Sequence, residues 1–443
     1  MSVLRFFAAL LVSVAGTVGA QEGPRRLPPV PTEFTPAVVF DAVSAARLPA
    51  QVELADARTV VYQLDELEAL AIAQNPAISE ARSHVEAARG RSLQARLRPN
   101  PKVGYMANEI GNESAGQHGA FVGQQFIRGG KLAWSSAVEC REVIRLQREL
   151  DAMQQAVLTD VRNRFFSIYW LQKRTLILEQ FLETNRRAKT IAEQLFYAGD
   201  NIKSDVLLAE IEYEQTLTDI AALSADLEAN WRSLARVVGD SQLAPGTLGD
   251  AFSDIEDMKW DDALARIQNS PRLAAANAEI DRNRTALQRA RVEPIPDVNT
   301  QVSVQYDFST NNTFAGVQVG MPVPTWNRNQ GGIYAANASV RAAMQKYEKT
   351  RLHVERELAQ QFGLYENARR QLTRIEQQIV PKAQEVVKIA LNAYKAGEAG
   401  MADVLNAQRS LLRAALRQQD AQLQLRLAYV AIEGYLLSDG LGG

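Results

Sequence analysis

Residues 132–198 read LAWSSAVECREVIRLQRELDAMQQAVLTDVRNRFFSIYWLQKRTLILEQFLETNRRAKTIAEQLFYA. These 67 residues contain no glycine and no proline, although the chain holds 26 and 16 of them. Ala, Leu, Gln, Glu and Arg dominate, all strong helix formers. The stretch is expected to be one helix, which at ~1.5 Å rise per residue extends roughly 100 Å. No compact domain needs such a rod, since globular helices average ~10–14 residues. Apolar residues recur at Leu150, Met153, Val157, Val161, Phe165, Ile168 and Leu171, and these steps of three and four make a continuous stripe for packing against other helices. A cytoskeletal or dimeric coiled coil would also use such a rod, so its flanks decide.

The flanks repeat. From Leu64 the helical pattern LDELEALAIAQNPAISEARSHVEAARGRSLQARLRPNP is broken at Asn75-Pro76 and stopped by Pro99 and Pro101. From Trp260 the pattern WDDALARIQNSPRLAAANAEIDRNRTALQRARVEPIP is broken at Ser270-Pro271 and stopped by Pro294 and Pro296. Each of the three matching prolines is 195 residues from its counterpart. Such coincidence marks an internal duplication, with copies at 61–240 and 259–438, a linker at 241–258 and a tail at 439–443.

After each Pro-x-Pro the period changes to two. In the second copy Val298, Thr300, Val302, Val304, Tyr306 and Phe308 alternate with Asn299, Gln301, Ser303, Gln305 and Asp307, the mark of a strand with one apolar and one wet face. After a turn at residues 309–312, Ala315, Val317, Val319 and Met321 continue an apolar face. In the first copy Lys102–Ile110 and His118–Ile127 occupy the same places around residues 111–114. These lengths suit a tilted strand crossing a bilayer, and Val302, Val304, Tyr306, Val317 and Val319 are then expected to face lipid. A soluble hairpin is the alternative, but two strands alone are marginal in water. Pro99, Pro101, Pro294 and Pro296 become the bends between helix and strand.

The second copy repeats the rod over Ile333–Ala396, interrupted by Gly363 and by Pro381, where a local bend is expected. Both rods end at similar turns, YAGDNIKSDVL at 197–207 and AGEAGMADVL at 396–405. Gly199 and Gly397 can take the left-handed conformation at a helix end, and Asp205 and Asp403 suit the first turn of the returning helix. The returns, at about 203–238 and 402–437, are roughly half a rod long. One rod can therefore pack against two shorter helices stacked end to end.

Composition narrows the classes. With 49 basic and 51 acidic residues and no basic block, nothing points to nucleic acid. Cys140 stands alone in the rod, and His84, His118 and His353 are scattered, so neither a disulfide framework nor a metal site is expected. No catalytic motif or cofactor-binding loop is present, and no enzyme or cofactor is expected. Residues 1–20, with Arg5, an apolar core and a small-residue end at Ala20, read as a cleaved signal peptide with no lipoprotein cysteine after it. Residues 21–60 form a Pro-rich arm, either extended on another surface or a disordered linker.

Two copies supply four strands, whereas a closed transmembrane barrel needs about eight or more and tolerates no open edge in lipid. A trimer would supply twelve strands and a ring of twelve helical positions. The expected fold is thus mainly α with a small β part: duplicated long-helix hairpins forming a trimeric α-helical barrel topped by a 12-stranded β-barrel.

This order of helix, hairpin, rod, Ala-Gly turn and return helix, given twice over about residues 60–438, resembles the TolC-like outer membrane factors. Asn75-Pro76, Glu86-Ala87-Ala88-Arg89-Gly90 and Arg98-Pro99-Asn100-Pro101 look closest to the branch serving heavy-metal and cation exporters. The resemblance implies a homotrimer in the outer membrane of a Gram-negative-type bacterium, reaching into the periplasm. It implies a periplasmic adaptor and, through it, an inner-membrane pump as partners, in tripartite efflux or type I secretion. It places adaptor docking or gating at the turns, here Gly199, Asp200, Ser204, Asp205, Gly397, Gly400 and Asp403, with Glu385 as a candidate pore constriction. The rival reading is a periplasmic adaptor or secreted coiled-coil scaffold without a pore. Two equivalent rods, each preceded by an alternating hairpin, suit that poorly.

Overall fold

The computed structural model describes residues 60–112, 115–198, 202–249, 255, 257–396 and 398–440. Gly199, Asp200 and Gly397, the expected signal peptide at residues 1–20, all of the expected Pro-rich arm but its last residue, and residues 441–443 lie outside the described residues.

The first copy comprises β1 (Val61–Tyr62), α1 (Leu64–Gln74), α2 (Pro76–Arg96), β2 (Lys102–Asn112), β3 (Ala115–Phe126), α3 (Lys131–Ala198) and α4 (Lys203–Val238). After β4 (Thr247–Leu248), the second comprises α5 (Trp260–Gln268), α6 (Pro271–Val292), β5 (Val298–Asp307), β6 (Asn312–Gly320), α7 (Gln330–Arg374), a π-helical turn (Ile375–Ile379), α8 (Val380–Lys395) and α9 (Met401–Glu433). The quoted stretch is indeed one helix, of 68 residues with Lys131 at its head.

The duplication is visible in the caps. Asn75 and Ser270 are each 1% exposed and each precedes a proline at the first helical position. Asn75 Oδ1 accepts from the Ala77 and Ile78 N–H groups, and Ser270 Oγ accepts from the Leu273 N–H at 3.4 Å. Each side chain thus satisfies donors that an α-helix leaves free at its start. Asn75 Nδ2 also donates to the Val237 carbonyl at 2.7 Å, fixing the end of α4 against the α1–α2 break.

The rod α3 packs on α2 and α6 along its first half and on α4 along its second, with α9 beside it. Its middle carries the main core: Val161, Phe165, Ile168 and Trp170 meet Leu67 of α1, Trp231 and Leu234 of α4, and Val430 of α9. Phe165 and Ile168 are fully buried, each worth about 1.5–3 kcal/mol by removal from water. A second cluster joins Ile267 of α5, Leu358 and Tyr365 of α7 and Ile432 of α9. Within the expected linker, β4 pairs in parallel with β1, matching Val61 with Thr247 and Tyr62 with Leu248.

Several boundaries correct the sequence reading. Gly363 does not interrupt α7, which runs through it to Arg374. Only Pro381 disturbs the second rod, and the response is a π-helical turn just ahead of it. Proline lacks the N–H that would bond back to Gln377 and its ring crowds that carbonyl, and widening the preceding turn relieves both. The first-copy strands reach further into the predicted turn, because Glu109 at φ +58° opens a bulge between Asn108 and Asn112 and lets pairing resume at Asn112 and Ala115. The last helix stops at Glu433, short of residue 437, with Tyr435 and Leu436 in the left-handed region. Gly434 lies where a Cβ would meet Thr159 Oγ1 of α3 at 2.0 Å, so the chain bends out at that close crossing.

The hairpins of the two copies join in one antiparallel sheet of order β2-β3-β5-β6. Its outer strands, β2 and β6, each keep one unpaired edge.

Candidate functional site

In this sheet the usual arrangement of a water-soluble protein is inverted. Ser303 and Gln305 of β5 are both 7% exposed, while Val302 and Val304 between them are 51% and 53% exposed. Direct cross-strand pairing puts Val103, Val122, Val302 and Val317 in a single row across all four strands, and every one is more than half exposed. Tyr105, Ala120, Val304 and Ala315 form the next row on that face. The opposite face is polar: Asn108 Nδ2 donates to Gln305 Oε1 at 3.1 Å, and Gln305 Nε2 donates to Ser303 Oγ at 3.4 Å. Gly119 permits close strand approach there, since a Cβ would meet the Val304 carbonyl oxygen at 2.1 Å.

Of the five strand residues singled out from sequence, Val302, Val304, Val317 and Val319 lie exposed on the apolar face, and Tyr306 lies half-buried on that face. Tyr306 and Phe308 of that alternating run join Tyr105 and His118, which the sequence reading gave no role, at the hairpin end of the same strands. His118 stacks on Tyr105 at 6.0 Å and meets Phe308 edge-on at 5.5 Å, and Tyr306 meets Phe308 at 4.9 Å. Phe126, the last residue of β3, is exposed, as are Trp326 after β6 and Tyr334 in the first turns of α7, Trp326 to 90%. Aromatic residues at both limits of an apolar band are the arrangement found where strands cross a membrane interface. No described helix is long and apolar enough to cross a membrane.

The four prolines lie between the helices and the strands. Helix α2 ends at Arg96 before Pro99 and Pro101, and α6 ends at Val292 before Pro294 and Pro296. A polar corner that sequence reading missed braces this junction: Lys131 Nζ donates to Asp297 Oδ1 at 3.0 Å, and the Arg128 N–H donates to the same oxygen at 3.1 Å.

At the far end of the rods, the turn residues divide. Ser204 is exposed at the head of α4, and Asp205 is half-buried in its first turn. The Gly400 N–H donates to Asp403 Oδ2 at 3.1 Å, closing the first turn of α9. Both carboxylates stand where a helix dipole favours negative charge. The two turns share one apolar cluster of Ala188 and Ala192 from α3, Ala209 from α4, and Met401, Val404 and Leu405 from α9, with Tyr394 of α8 against it. Burial, and then the nearby Asp205 charge, raise the pKa of the Tyr394 hydroxyl. Glu385 is exposed on α8.

Above the turns a buried polar layer crosses between the copies. Glu212 of α4 is 4% exposed and ion-paired with Arg409 of α9, and Asn185 Nδ2 of α3 donates to Thr216 Oγ1 at 3.0 Å. Asn185, Glu212 and Thr216 occupy apolar-stripe positions of their helices, which is the trace they leave in sequence. Among the described residues no cluster of His, Cys, Asp and Glu could hold a metal ion.

The chain is similar to known proteins in sequence and in fold. The family model described as outer membrane efflux protein matches residues 67–240 and 265–436. The cobalt-zinc-cadmium resistance protein CzcC of Cupriavidus metallidurans is 25% identical over 354 residues, covering 79% of this chain and 83% of that protein. The nickel-cobalt-cadmium resistance protein NccC of Alcaligenes xylosoxydans xylosoxydans is 23% identical over 287 residues, covering 63% and 65%. The open-state crystal structure of the MtrE outer membrane channel of Neisseria gonorrhoeae superposes with a TM-score of 0.71 at 17% identity, covering 85% of this chain and 89% of that one.

Proposed function

This chain belongs to the outer membrane efflux protein family, and from that premise we propose that it is the passive exit duct of a tripartite efflux system. Three copies close its sheet into a 12-stranded barrel in the outer membrane and its helices into a periplasmic tube. The observation that carries the reading is the inverted sheet, with Val302 and Val304 outside and Ser303 and Gln305 inside. Burying the polar face and exposing the apolar one costs stability in water and is favourable when the outside is lipid and the inside is an aqueous pore.

The unpaired edges of β2 and β6 support the copy number. Lipid offers no hydrogen-bond partner to a free edge, so β6 of one copy has to meet β2 of the next. Twelve strands is an even number within the range of known outer-membrane barrels. A scaffold without a pore would leave both edges and the exposed valine row without a partner.

The chain is exported by residues 1–20, docks its turns around Ser204, Asp205, Gly400 and Asp403 on a periplasmic adaptor, and receives cargo from an inner-membrane pump that supplies the energy. Divalent metal cations are the proposed cargo, supported by the resistance functions in the names of CzcC and NccC. Deleting the gene and measuring zinc, cobalt and cadmium tolerance tests the cargo. Lost tolerance, restored by the intact gene, is expected, and unchanged tolerance to all three would reject metal export.

A further inference from the structure

Three separated segments meet at one corner between the helices and the sheet. They are the exit from β3 at residues 127–131, the bend from α6 to β5 at 289–297, and the entry to α7 at 325–330. The Arg128 N–H donates to Asp297 Oδ1 at 3.1 Å, and a Cβ at Gly129 would meet Ile295 Cδ1 at 2.7 Å, which joins the first segment to the second. Asn329 Nδ2 donates to the Ala290 carbonyl at 2.8 Å, which joins the third to the second.

Charge does not balance in this corner. Its segments carry Arg128, Lys131, Arg289, Arg291 and Arg328 against Glu293 and Asp297. Lys131 is paired with Asp297, and Arg289 with Glu293. Arg128, Arg291 and Arg328 are all exposed and make no ion pair among the described residues. On the rods, by contrast, Arg145, Arg186 and Arg351 each answer an acid three residues away. At the hairpin end the sign reverses, since residues 107–120 and 305–315 hold Glu109, Glu113 and Asp307 and no lysine or arginine.

The corner also continues the apolar face of the sheet. Phe126 pairs directly with Val298 on the face that carries the exposed valine row, and Arg128 follows two residues later. The second copy repeats the spacing, because Trp326, 90% exposed, precedes Arg328 by two residues. An aromatic ring is favoured where the acyl region of a bilayer gives way to headgroups. A guanidinium fork matches two oxygens of a phosphate.

We propose that Arg128, Arg291 and Arg328 bind the phosphate of an anionic phospholipid, phosphatidylglycerol in kind, in the leaflet that faces the periplasm. The inference rests on the barrel reading above and names the lipid taken at the helix-side rim. Three arginines without counter-charges draw net negative charge to a membrane surface. A zwitterionic headgroup brings its own cation and leaves them uncompensated, whereas phosphatidylglycerol neutralises them. The hairpin end, acidic and without a cation, offers such a headgroup nothing.

The test uses the full-length protein purified from outer membranes in dodecyl maltoside and mixed with micelles holding dioleoyl-phosphatidylglycerol and dioleoyl-phosphatidylcholine in equal amounts. Lipid retained through gel filtration is counted. Several-fold more phosphatidylglycerol than phosphatidylcholine is expected, and the excess should fall several-fold when Arg128→Gln, Arg291→Gln and Arg328→Gln are combined. The same loss of charge at exposed arginines of α2, α3 and α9, Arg82→Gln, Arg164→Gln and Arg413→Gln, should leave the excess intact. Equal retention of the two lipids by the parent, an excess that the corner variant keeps, or equal loss in both variants overturns the site and leaves the duct standing. Millimolar inorganic phosphate should displace little of the lipid, because it lacks the acyl chains that the apolar band holds. Full displacement would mark a site for free phosphate and overturn the lipid assignment. A measurement on the parent at about 1 M salt, where the screening length falls to ~3 Å, needs no variant to fold. The excess should drop several-fold there, and an excess indifferent to salt contradicts binding by charge. Protein absent from the outer-membrane fraction would instead overturn the barrel reading itself.

Discussion

Lys131 and Asp297 stand 3.0 Å apart where the helices give way to the sheet, one at the head of the first rod and the other just before the second copy's first strand. Their side chains are 8% and 18% exposed. Burial acts to raise the Asp297 pKa, but the Arg128 N–H and the Lys131 ammonium hold it below the usual carboxylate range. The pair ties the head of the first copy's rod to the start of the second copy's first strand.

Asp297→Asn leaves a buried ammonium without its counter-charge and should destabilise the protein by about 2–4 kcal/mol, below the figure for a fully buried pair because Asp297 retains some solvent contact. Adding Lys131→Met should recover part of the loss, because the orphaned charge is then gone. Thermal unfolding in detergent measures both, and an unchanged Tm in Asp297→Asn would refute the role of the corner.

Val302→Arg with Val304→Arg should block membrane assembly. Arginine on a lipid-facing strand costs about 2–4 kcal/mol at the bilayer midplane. Gln301→Arg, on the polar face of the same strand, should assemble normally. Recovery of each variant in the outer-membrane fraction is the readout, and equal recovery of all would contradict the facing.

Gly239 caps α4 at φ +87°, and a Cβ there would meet the Gln74 carbonyl oxygen at 2.7 Å. Gly239→Ala should cost at least about 1–2 kcal/mol from the left-handed backbone alone. Circular-dichroism melting measures this cost, and a neutral effect would show that the α1–α2 break can move away.

Glu142 of α3 bonds to Arg145 and lies 2.9 Å from Arg282 of α6. The bond from Arg145 chiefly holds its pKa below the ordinary 4.5. A carboxylate with a lowered folded-state pKa stabilises fully above its unfolded value, and that contribution fades as pH falls through the folded one. Glu142→Gln should therefore melt below the parent at neutral pH, by about 1–2 kcal/mol, and the gap should close on acidification. A gap that stays constant down to the acid limit would exclude this cause.

Much of the architecture could be read from the sequence because it depends on local rules. Absence of glycine and proline over residues 132–198 marks the rod, paired prolines mark the duplication, and period-two alternation marks β5. The first hairpin read less well, because the bulge at Glu109 depends on pairing with β3. The Lys131–Asp297 corner and the Glu212–Arg409 pair join residues 166 and 197 apart in sequence, and no local pattern records such a meeting. The turn residues were found as helix punctuation, whereas their shared cluster with Tyr394 required the packing of both copies.

The account stands or falls on three chains sharing one wall. Native mass measurement of the protein extracted from outer membranes in detergent tests this most directly. A species of three chains is predicted, and a single chain that stays soluble without detergent would contradict it.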